Sequence, residues 1–456
     1  MSTVPPGIAH PLIVPMPRLW GPLGALLRRV VLARLGSLWP TDRPGEALQV
    51  TLPGGETLRF GAASREVRLP RVQVHDDRLF LRLLLRGEMG GGESYVAGEW
   101  SADDLPATIR GFLRATGARG FESPLTYLGQ LPALRRHRRA ANSVSGSERN
   151  IHAHYDLGNA FYRLFLDEET MAYSCALWPG DPALAARAPG DAGPASGRDH
   201  GVDAGPGDGL GDGQGAGPDD GLGGAQRAKL ERLCELLSLR ASDHLLEIGC
   251  GWGGMALHAA KTRGCKVTAI TVSREQHELA RAKVFAEGLG DRVDIQYRDY
   301  RELSGRFDKL VSIEMLEAVG YEYLPAYFAT CGRVLAAGGT MALQTITMPD
   351  DRFDAYRRRV DWMQTYIFPG SLIPSLAVIR QALTGSGLTL SRSEDLGPHY
   401  APTLRAWAQR FKAQLPRVRA LGFDLPFVRT WLMYLAFSEA AFAERTLGDH
   451  HLVLQR

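Results

Sequence analysis

Short apolar segments alternate with helix-period segments between residues 244 and 320. The first, Leu245–Ile248, runs into closely spaced glycines, after which Met255–Lys261 has helical periodicity. Three more strand-like segments follow at Lys266–Val272, Val293–Tyr297 and Phe307–Ile313. Near-continuous apolar strands that alternate with helices are typical of a parallel, doubly wound sheet. We therefore expect an α/β fold with a ligand site at the carboxyl ends of its strands.

The first 140 residues have a different pattern. An amphipathic, arginine-bearing helix is predicted near the start of the chain, which would suit either a core-facing position or a membrane surface. Apolar and polar residues then alternate over Leu48–Leu52, Glu56–Phe60 and Val72–Leu84, which predicts strands. We expect a smaller N-terminal α+β domain over residues 1–140 and a larger domain over 141–456. The apolar face of the helix consists of Leu23, Leu26, Leu27, Val30 and Val31.

A Gly/Pro/Asp/Ala-rich tract interrupts the larger domain at residues 179–224. It contains eight aspartates and two arginines but no aromatic residue. Such a composition buries too little apolar surface to offset the entropy of ordering, so we predict a disordered insert. Outside the tract, 51 Lys and Arg stand against 42 Asp and Glu, a balance that would suit an anionic partner.

Several other classes of protein are disfavoured. The five cysteines lack the spacing of a zinc site or a disulfide framework, which favours the cytoplasm, and no apolar run is long enough to span a bilayer. His152 and His154 lack a third ligand, so no metal is expected. The basic cluster Arg135–Arg139 has no interleaved aromatics, so we expect no nucleic-acid partner.

The glycine-rich turn after the first strand points to a nucleotide-like cofactor. Glycines permit positive φ and close approach of a ligand to the backbone. The spacing departs from the dinucleotide fingerprint, and the second strand ends in polar residues rather than the acidic residue that a nicotinamide ribose usually contacts. These features favour S-adenosylmethionine over a nicotinamide dinucleotide. The glycines are Gly249, Gly251, Gly253 and Gly254, and the polar residues are Thr271, Ser273 and Gln276.

Four motifs in order resemble the cyclopropane fatty acid synthases, in the plant and actinobacterial branch. They are Asn150–Asn159, Met171–Trp178, the glycine turn and Ile313–Gly320. Further similarity lies in Phe368–Gly370, in Gly397–Trp407 and, within the N-terminal domain, in Gly91–Trp100. The resemblance implies a Rossmann-like S-adenosylmethionine-dependent methyltransferase domain that acts on double bonds of unsaturated acyl chains in membrane phospholipids, with the N-terminal domain as a lipid-binding accessory.

The resemblance also assigns a cofactor site. Tyr173 and Ser174 would contact the methionine end, and Asp299 and Tyr300 the adenine side. Polar residues after the second strand would reach the ribose, and the glycine turn would lie beneath the cofactor. The residues assigned to these two groups are Thr271, Ser273 and Gln276 for the ribose, and Glu247, Gly249, Cys250, Gly251 and Gly253 for the turn.

Methyl transfer to an alkene leaves a carbocation, which must then lose a proton to a nearby base. In the family this base is held to be bicarbonate. By resemblance its ligands would be Glu317, Tyr400 and backbone groups beside Cys175 and Ile346. The family's bicarbonate-binding histidine is replaced by Gln344, whose amide can still donate a hydrogen bond but carries no positive charge.

The identity of the product stays open at this point. Loss of a proton with ring closure would give a cyclopropane, whereas loss without ring closure would give a mid-chain methylene, which a partner reductase could saturate to a methyl branch as in tuberculostearic acid. We expect a cytoplasmic enzyme, peripheral at the inner face of the membrane, and a homodimer is compatible with the sequence. Less favoured hypotheses are N-methylation of an amine and a non-catalytic lipid-binding protein that keeps a vestigial cofactor fold.

Overall fold

The computed structural model describes residues 22–39, 47–62, 69–116, 157–180 and 221–456, with the single positions 126 and 134. The cluster Arg135–Arg139, the histidines His152 and His154, and residues 181–220 of the Gly/Pro/Asp-rich tract lie outside the described residues. Within the described ranges, no helix combines the length and the hydropathy needed to cross a bilayer.

Helices pack on a four-stranded sheet in the N-terminal part. The sheet has the order β2-β1-β3-β4, with β1 and β2 forming a hairpin and β1 parallel to β3. Val50, Val72 and Val74 point from this sheet into the core, as the alternating pattern predicts. The elements are α1 (Pro22–Leu38), β1 (Ala47–Thr51), β2 (Thr57–Gly61), β3 (Arg71–Val74), α2 (Arg78–Val96), β4 (Trp100–Ala102) and α3 (Leu105–Thr116).

The predicted strand over Val72–Leu84 is wrong beyond its first residues. The chain leaves β3 at Val74 and enters α2 at Arg78, whose backbone N–H donates to Asp76 Oδ1 at 2.9 Å. Leu79 and Leu83 fit helical spacing as well as alternation, because short apolar patterns satisfy both periods. The α2 helix is kinked at Gly87, whose φ is +57°.

Helix α1 buries only part of its predicted apolar face. Val31 and Leu35 are buried, whereas Leu26 and Val30 are 56% and 47% exposed. Val31 and Leu35 therefore anchor the helix in the core, and Leu26 and Val30 of the predicted face lie at the surface. Arg28 pairs with Asp77 at 3.7 Å.

The C-terminal part contains a seven-stranded sheet of order β10-β11-β9-β8-β5-β6-β7. Strands β5 to β9 are parallel, and β11 is antiparallel to both of its neighbours. The chain runs outward from β5 through β6 and β7, and then crosses to β8 on the other side, which creates a switch point at the carboxyl end of β5. The predicted α/β, Rossmann-like fold is therefore confirmed.

The elements of this part follow in chain order: α4 (Asn159–Tyr162), α5 (Leu222–Leu236), β5 (His244–Ile248), α6 (Gly254–Arg263), β6 (Lys266–Thr271), α7 (Arg274–Ala286), β7 (Val293–Tyr297), β8 (Phe307–Ile313), α8 (Leu324–Val334), β9 (Leu335–Thr347), α9 (Asp350–Tyr356), α10 (Trp362–Tyr366), α11 (Leu376–Ala382), β10 (Thr389–Asp395), α12 (Gly397–Ala413), α13 (Leu415–Ala420), α14 (Leu425–Ala443) and β11 (Gly448–Gln455).

The Gly/Pro/Asp-rich tract ends earlier than its composition predicts. Residues 222–224 already form the first turn of α5, and Leu222 is fully buried. The backbone N–H of Leu177, before the tract, donates to the carbonyl of Ala225, after it, at 3.1 Å. The predicted boundary at 224 is therefore wrong by a few residues, because one buried leucine anchors a helix whose first residues are otherwise glycine-rich.

The two parts of the chain pack through α2 and α3 against α14. Arg429 of α14 donates to the backbone carbonyls of Tyr95 at 2.6 Å and Trp100 at 2.8 Å, and its guanidinium lies 4.4 Å from the centre of the Tyr95 ring. The Tyr366 hydroxyl donates to the buried Glu93 carboxylate at 2.6 Å. Such bonds to buried carbonyl and carboxylate groups fix the relative position of the two sheets.

Candidate active site

A cavity of about 170 Å³ lies at the carboxyl ends of β5, β6 and β8. This is the switch point of the sheet, where α/β folds bind their ligands. All but two of the predicted cofactor residues line it, namely Tyr173, Ser174, Glu247, Gly249, Cys250, Gly251, Thr271, Gln276, Asp299 and Tyr300.

The other two residues, Gly253 and Ser273, have structural positions behind this wall. Gly253 precedes α6 with φ +83°, and a Cβ there would lie 3.2 Å from the Cβ of Ala280. Ser273 caps α7, because its hydroxyl accepts a hydrogen bond from the backbone N–H of Gln276. Neither residue lines the cavity. Both act on its shape indirectly, because they begin the helices that pack behind its wall.

The glycine turn leaves room for a ligand where side chains would block it. Gly249 has φ +83°, and a Cβ at that position would lie 2.8 Å from Met315 Cγ. Gly251 has φ +52°, and a Cβ there would meet no atom within 4 Å, so it would project into open space. The turn thus keeps positive φ at two positions and an open approach to the backbone at one of them.

Glu247 contributes a buried acidic group to the cavity. Its Oε2 has no hydrogen-bond partner among the described residues. Burial raises the pKa of this carboxyl to about 8. The backbone N–H of Ala256 and the charge of Lys229 oppose this shift but do not cancel it. A buried, unpartnered carboxylate oxygen on a residue that lines the cavity suits a cationic ligand group. S-adenosylmethionine has both an α-ammonium and a sulfonium charge, so these residues fit that cofactor.

Asp299 is held in place by its own loop. Arg301 binds both of its carboxylate oxygens, through Nε at 2.8 Å and Nη2 at 2.7 Å. At the end of β6, the Thr271 hydroxyl donates to Gln276 Oε1 at 3.0 Å. Preorganised polar groups of this kind fix the orientation of a bound ligand.

A second, largely apolar cavity of about 620 Å³ adjoins the first. Its walls come from both parts of the chain, including Val50, Phe80 and Leu83 of the N-terminal part. Its volume lies within the range of about 300–1,000 Å³ that is usual for ligand pockets. The residues that line both cavities are Tyr173, Glu314 and Ala318. The C-terminal part of the wall includes Glu317, Ile346, Tyr356, Trp362, Phe368, Tyr400, Tyr434 and Phe442.

Glu314, the residue that follows β8, gathers most of the predicted catalytic groups. Its Oε1 accepts hydrogen bonds from the backbone N–H of Cys175 at 2.7 Å and from Gln344 Nε2 at 3.0 Å. Its Oε2 accepts one from the Tyr400 hydroxyl at 2.6 Å. The Tyr400 ring in turn stacks on Phe442, with 4.2 Å between ring centres. Three donors from three segments thus converge on one carboxylate.

The amide of Gln344 has a fixed orientation. Its Oε1 faces the buried His451 Nε2 at 3.2 Å, and its Nε2 also lies 2.8 Å from Asp449 Oδ2. Burial lowers the pKa of His451 to about 3, so this imidazole is neutral. The amide nitrogen of Gln344 faces the carboxylate oxygens of Glu314 and Asp449, which accept from it.

Three carboxyl groups share this region with one cation, and Asp449 is fully buried whereas Glu314 and Glu317 are partly buried. Burial raises the pKa of Glu314, Glu317 and Asp449, and Lys229 is the cation whose charge opposes the shift at Glu314 and Asp449. Lys229 is itself fully buried and donates to the Ser174 hydroxyl at 2.6 Å. Glu314 has three hydrogen-bond donors, whereas one oxygen of Asp449 has no partner among the described residues. Negative charge is therefore most favourable on Glu314.

Glu317 lies apart from this cluster. Its Oε1 accepts hydrogen bonds from the Ile346 backbone N–H at 2.5 Å and from the Thr345 hydroxyl at 2.9 Å. Its Oε2 has no partner among the described residues. Burial first, and the charge of Glu314 second, raise the pKa of Glu317 to about 7.

The donors around Glu314 bear on the predicted bicarbonate. The resemblance assigns Tyr400, Gln344 and the backbone beside Cys175 to that anion, but here all three donate to Glu314. These residues do not fit a separate anion at that place. Sequence reasoning overlooked Glu314, although an acidic residue at the carboxyl end of a strand beside the switch point is a usable signal.

Comparison with known proteins places the chain in a family. The sequence model of the family described as mycolic acid cyclopropane synthetase matches residues 142–452. The chain therefore belongs to this family, as the four motifs predict, and it is an S-adenosylmethionine-dependent methyltransferase.

Two relatives are similar over most of their length. The chain is 36% identical over 449 residues to tuberculostearic acid methyltransferase UfaA1 of Mycobacterium tuberculosis, a match that covers 98% of this chain and 95% of that protein. It is 32% identical over 392 residues to cyclopropane-fatty-acyl-phospholipid synthase of Escherichia coli strain K12, covering 84% and 87%.

The fold is shared with solved structures. The crystal structure of mycolic acid cyclopropane synthase CmaA1 complexed with SAH and CTAB superimposes with a TM-score of 0.54 at 26% identity, covering 68% of this chain and 98% of that one. The structure of cyclopropane synthase MmaA2 from Mycobacterium tuberculosis gives 0.55 at 25% identity, covering 68% and 98%.

Proposed function

We propose that the protein transfers the methyl group of S-adenosylmethionine to the double bond of an unsaturated fatty acyl chain in a phospholipid. The observation that carries this proposal is the meeting of two cavities. A polar cavity beside the glycine turn and a larger apolar cavity share the wall formed by Tyr173, Glu314 and Ala318. At this shared wall, a double bond in the apolar cavity would lie close to a methyl group that is bound in the polar cavity.

The residues of the polar cavity have distinct tasks. The glycine turn lets the cofactor approach the backbone, Glu247 pairs with its cationic methionine end, and the pair of Thr271 and Gln276 meets the ribose. S-adenosylmethionine, when bound, supplies an electrophilic methyl group. Since an isolated alkene is a weak nucleophile, alignment of the reacting atoms supplies much of the acceleration.

The larger cavity suits an acyl chain. Its volume of about 620 Å³ and its aliphatic and aromatic walls would exclude water from a long apolar substrate. Residues 1–140 then act as an accessory domain that completes the slot, since Val50, Phe80 and Leu83 form part of its wall. The chain is similar to a tuberculostearic acid methyltransferase and to a cyclopropane-fatty-acyl-phospholipid synthase, and both similarities support this choice of substrate class.

Two products are compatible with this site. We propose a cyclopropane as the first candidate, as the family resemblance implies. The second candidate is a mid-chain methylene, and the full-length similarity to a tuberculostearic acid methyltransferase favours it. Both end with loss of a proton from the transferred methyl group, so one base could serve either outcome.

The surface of helix α1 supports the proposal that the protein acts at a membrane surface. Leu26 and Val30 are exposed on this helix, and Arg29 is exposed beside them. Exposed apolar side chains with neighbouring arginines favour the interface of a membrane that contains anionic lipids. We propose peripheral attachment at the inner face of the membrane through this helix.

The test is a reaction of the purified protein with ¹³C-methyl-labelled S-adenosylmethionine and liposomes of a monounsaturated phospholipid, followed by ¹H and ¹³C NMR of the lipid. Ring methylene signals at high field would establish cyclopropanation, and vinylic methylene signals would establish the branched route. Mass spectrometry alone does not suffice, because the two products are isomers. Absence of label in the lipid, with intact cofactor binding, would contradict the proposed function.

A further inference from the structure

Glu314 occupies the place where a base is needed. It is one of the residues that line both cavities, and its carboxylate is bound by the groups that the family resemblance assigns to bicarbonate. We propose that the Glu314 carboxylate is the base that removes the proton from the transferred methyl group, so that the protein needs no bound bicarbonate. This inference rests on the proposed function.

The backbone at Glu314 supports a functional role. Its φ is +47°, in the left-handed region that residues other than glycine seldom adopt. A side chain in this conformation costs about 1 kcal/mol or more, and such strain clusters at active sites. The backbone N–H of Glu314 donates to the Gln344 carbonyl at 2.8 Å, which holds the strained residue against β9.

The hydrogen bonds around the carboxylate suit a base that must not become a nucleophile. The backbone N–H of Cys175 and the side chains of Gln344 and Tyr400 occupy both oxygens. They favour the ionised form and disperse its charge, which disfavours capture of the carbocation as an ester. Both donor side chains are buried, Tyr400 at 5% exposed and Gln344 at 0%, so the arrangement is rigid.

The step balances without a further reactant. The π electrons of the double bond form a bond to the sulfonium methyl carbon, and the carbon–sulfur bond breaks with its electron pair remaining on sulfur. The other alkene carbon is left cationic. Glu314 takes a proton from the new methyl group, and the C–H electron pair closes the ring. For a methylene product, a hydride shift first moves the cation to the methylated carbon, and the same pair forms the double bond.

Two substitutions at Glu314 separate the base from its surroundings. Glu314→Gln keeps the size of the side chain but removes the base, whereas Glu314→Gly suits φ +47° and leaves the three donors open to a small anion. Each protein is assayed with labelled S-adenosylmethionine and monounsaturated phospholipid liposomes, in CO₂-free buffer and with added bicarbonate or formate. Cofactor affinity and melting temperature are measured alongside.

We expect turnover of the unsubstituted protein to be the same in both buffers. Glu314→Gln should lose roughly 10²–10⁴-fold in turnover at saturating cofactor. Glu314→Gly should regain turnover with bicarbonate or formate, whereas Glu314→Gln should not. Formate should also raise the melting temperature of Glu314→Gly but not of the unsubstituted protein.

Two results would overturn the assignment while leaving the proposed function intact. One is an unsubstituted protein that labels lipid only when bicarbonate is present. The other is a Glu314→Gln variant that keeps more than about a tenth of its turnover, since a lost general base costs far more. If instead the unsubstituted protein labels no lipid under any condition, the proposed function itself fails, and the assignment falls with it.

Discussion

The Tyr400 hydroxyl donates a hydrogen bond of 2.6 Å to Glu314 Oε2, and this bond joins α12 to the end of β8. Burial raises the pKa of the Glu314 carboxyl, and this hydrogen bond lowers it. The charged and titratable groups around that carboxyl are Lys229, Cys175, Asp449 and Glu317. Tyr400 thereby helps to keep Glu314 ionised.

Tyr400→Phe should therefore shift the acidic limb of the activity profile to higher pH. Loss of the hydrogen bond raises the pKa of Glu314, so the base stays protonated and inactive up to a higher pH. The phenylalanine ring can keep the stacking on Phe442. The measurement is turnover against pH for both proteins. A uniform loss at every pH would show that Tyr400 acts in some other way.

Glu317→Gln should lower turnover by roughly 10²-fold, the usual cost of removing one preorganised electrostatic group. Glu317 lines the cavity proposed for the acyl chain, and its Oε2 has no partner among the described residues, so its negative charge would stabilise a carbocation there. The glutamine oxygen can still accept from Ile346, so the fold should persist. Because Glu317 does not line the cofactor cavity, the dissociation constant for S-adenosylmethionine should change only a few-fold, and a large change would contradict this role.

Glu247 should couple cofactor binding to proton release. Burial raises its pKa to about 8, so it is mostly protonated in the ligand-free protein at pH 7, and a cationic ligand would ionise it. Titration calorimetry in buffers of different ionisation enthalpy should detect this proton, and Glu247→Gln should abolish it. The exposed Glu278→Gln on α7 is the matched control.

The same residue makes a prediction about stability. A carboxyl whose folded pKa is about 8, against an ordinary value of 4.5, favours folding below pH 4.5 and loses that contribution as pH rises through 8. Glu247→Gln should therefore stabilise the ligand-free protein at pH 9, by an amount on the order of 3–5 kcal/mol at most. Equal melting temperatures of the two proteins at pH 9 would show that Glu247 is not buried as described.

Gly251→Ala should weaken cofactor binding much more than it destabilises the protein. The added Cβ would meet no protein atom within 4 Å but would project into the space of the ligand. Positive φ alone should cost about 1–2 kcal/mol. Gly288→Ala, with φ +66° and equally open surroundings outside the site, controls for that cost. If both variants bound S-adenosylmethionine equally well, the turn would not lie beneath the cofactor.

Local patterns were sufficient for four of the seven strands of the larger sheet. The strands from Leu245, Lys266, Val293 and Phe307 were predictable because buried parallel strands are nearly continuous apolar runs with glycine or polar residues at their ends. The segment after Val74 failed because a short apolar pattern fits both a strand and a helix. The sequence left open whether the apolar face of α1 lies in the core or at a surface, and only the structure shows that Leu26 and Val30 are exposed.

The sequence by itself determined the α/β fold, the glycine turn and most of the residues that line the cavity beside it, because these depend on periodicity and on neighbours along the chain. Only the tertiary structure decided which acidic residue meets Tyr400, Gln344 and Cys175. Glu314 and Glu317 are three residues apart in one motif, and their positions along the chain do not say which of them the three donors reach. The left-handed backbone at Glu314, together with the arrangement of β8, β9 and α12, brings the donors to Glu314. Glu317 instead accepts a hydrogen bond from the backbone N–H of Ile346.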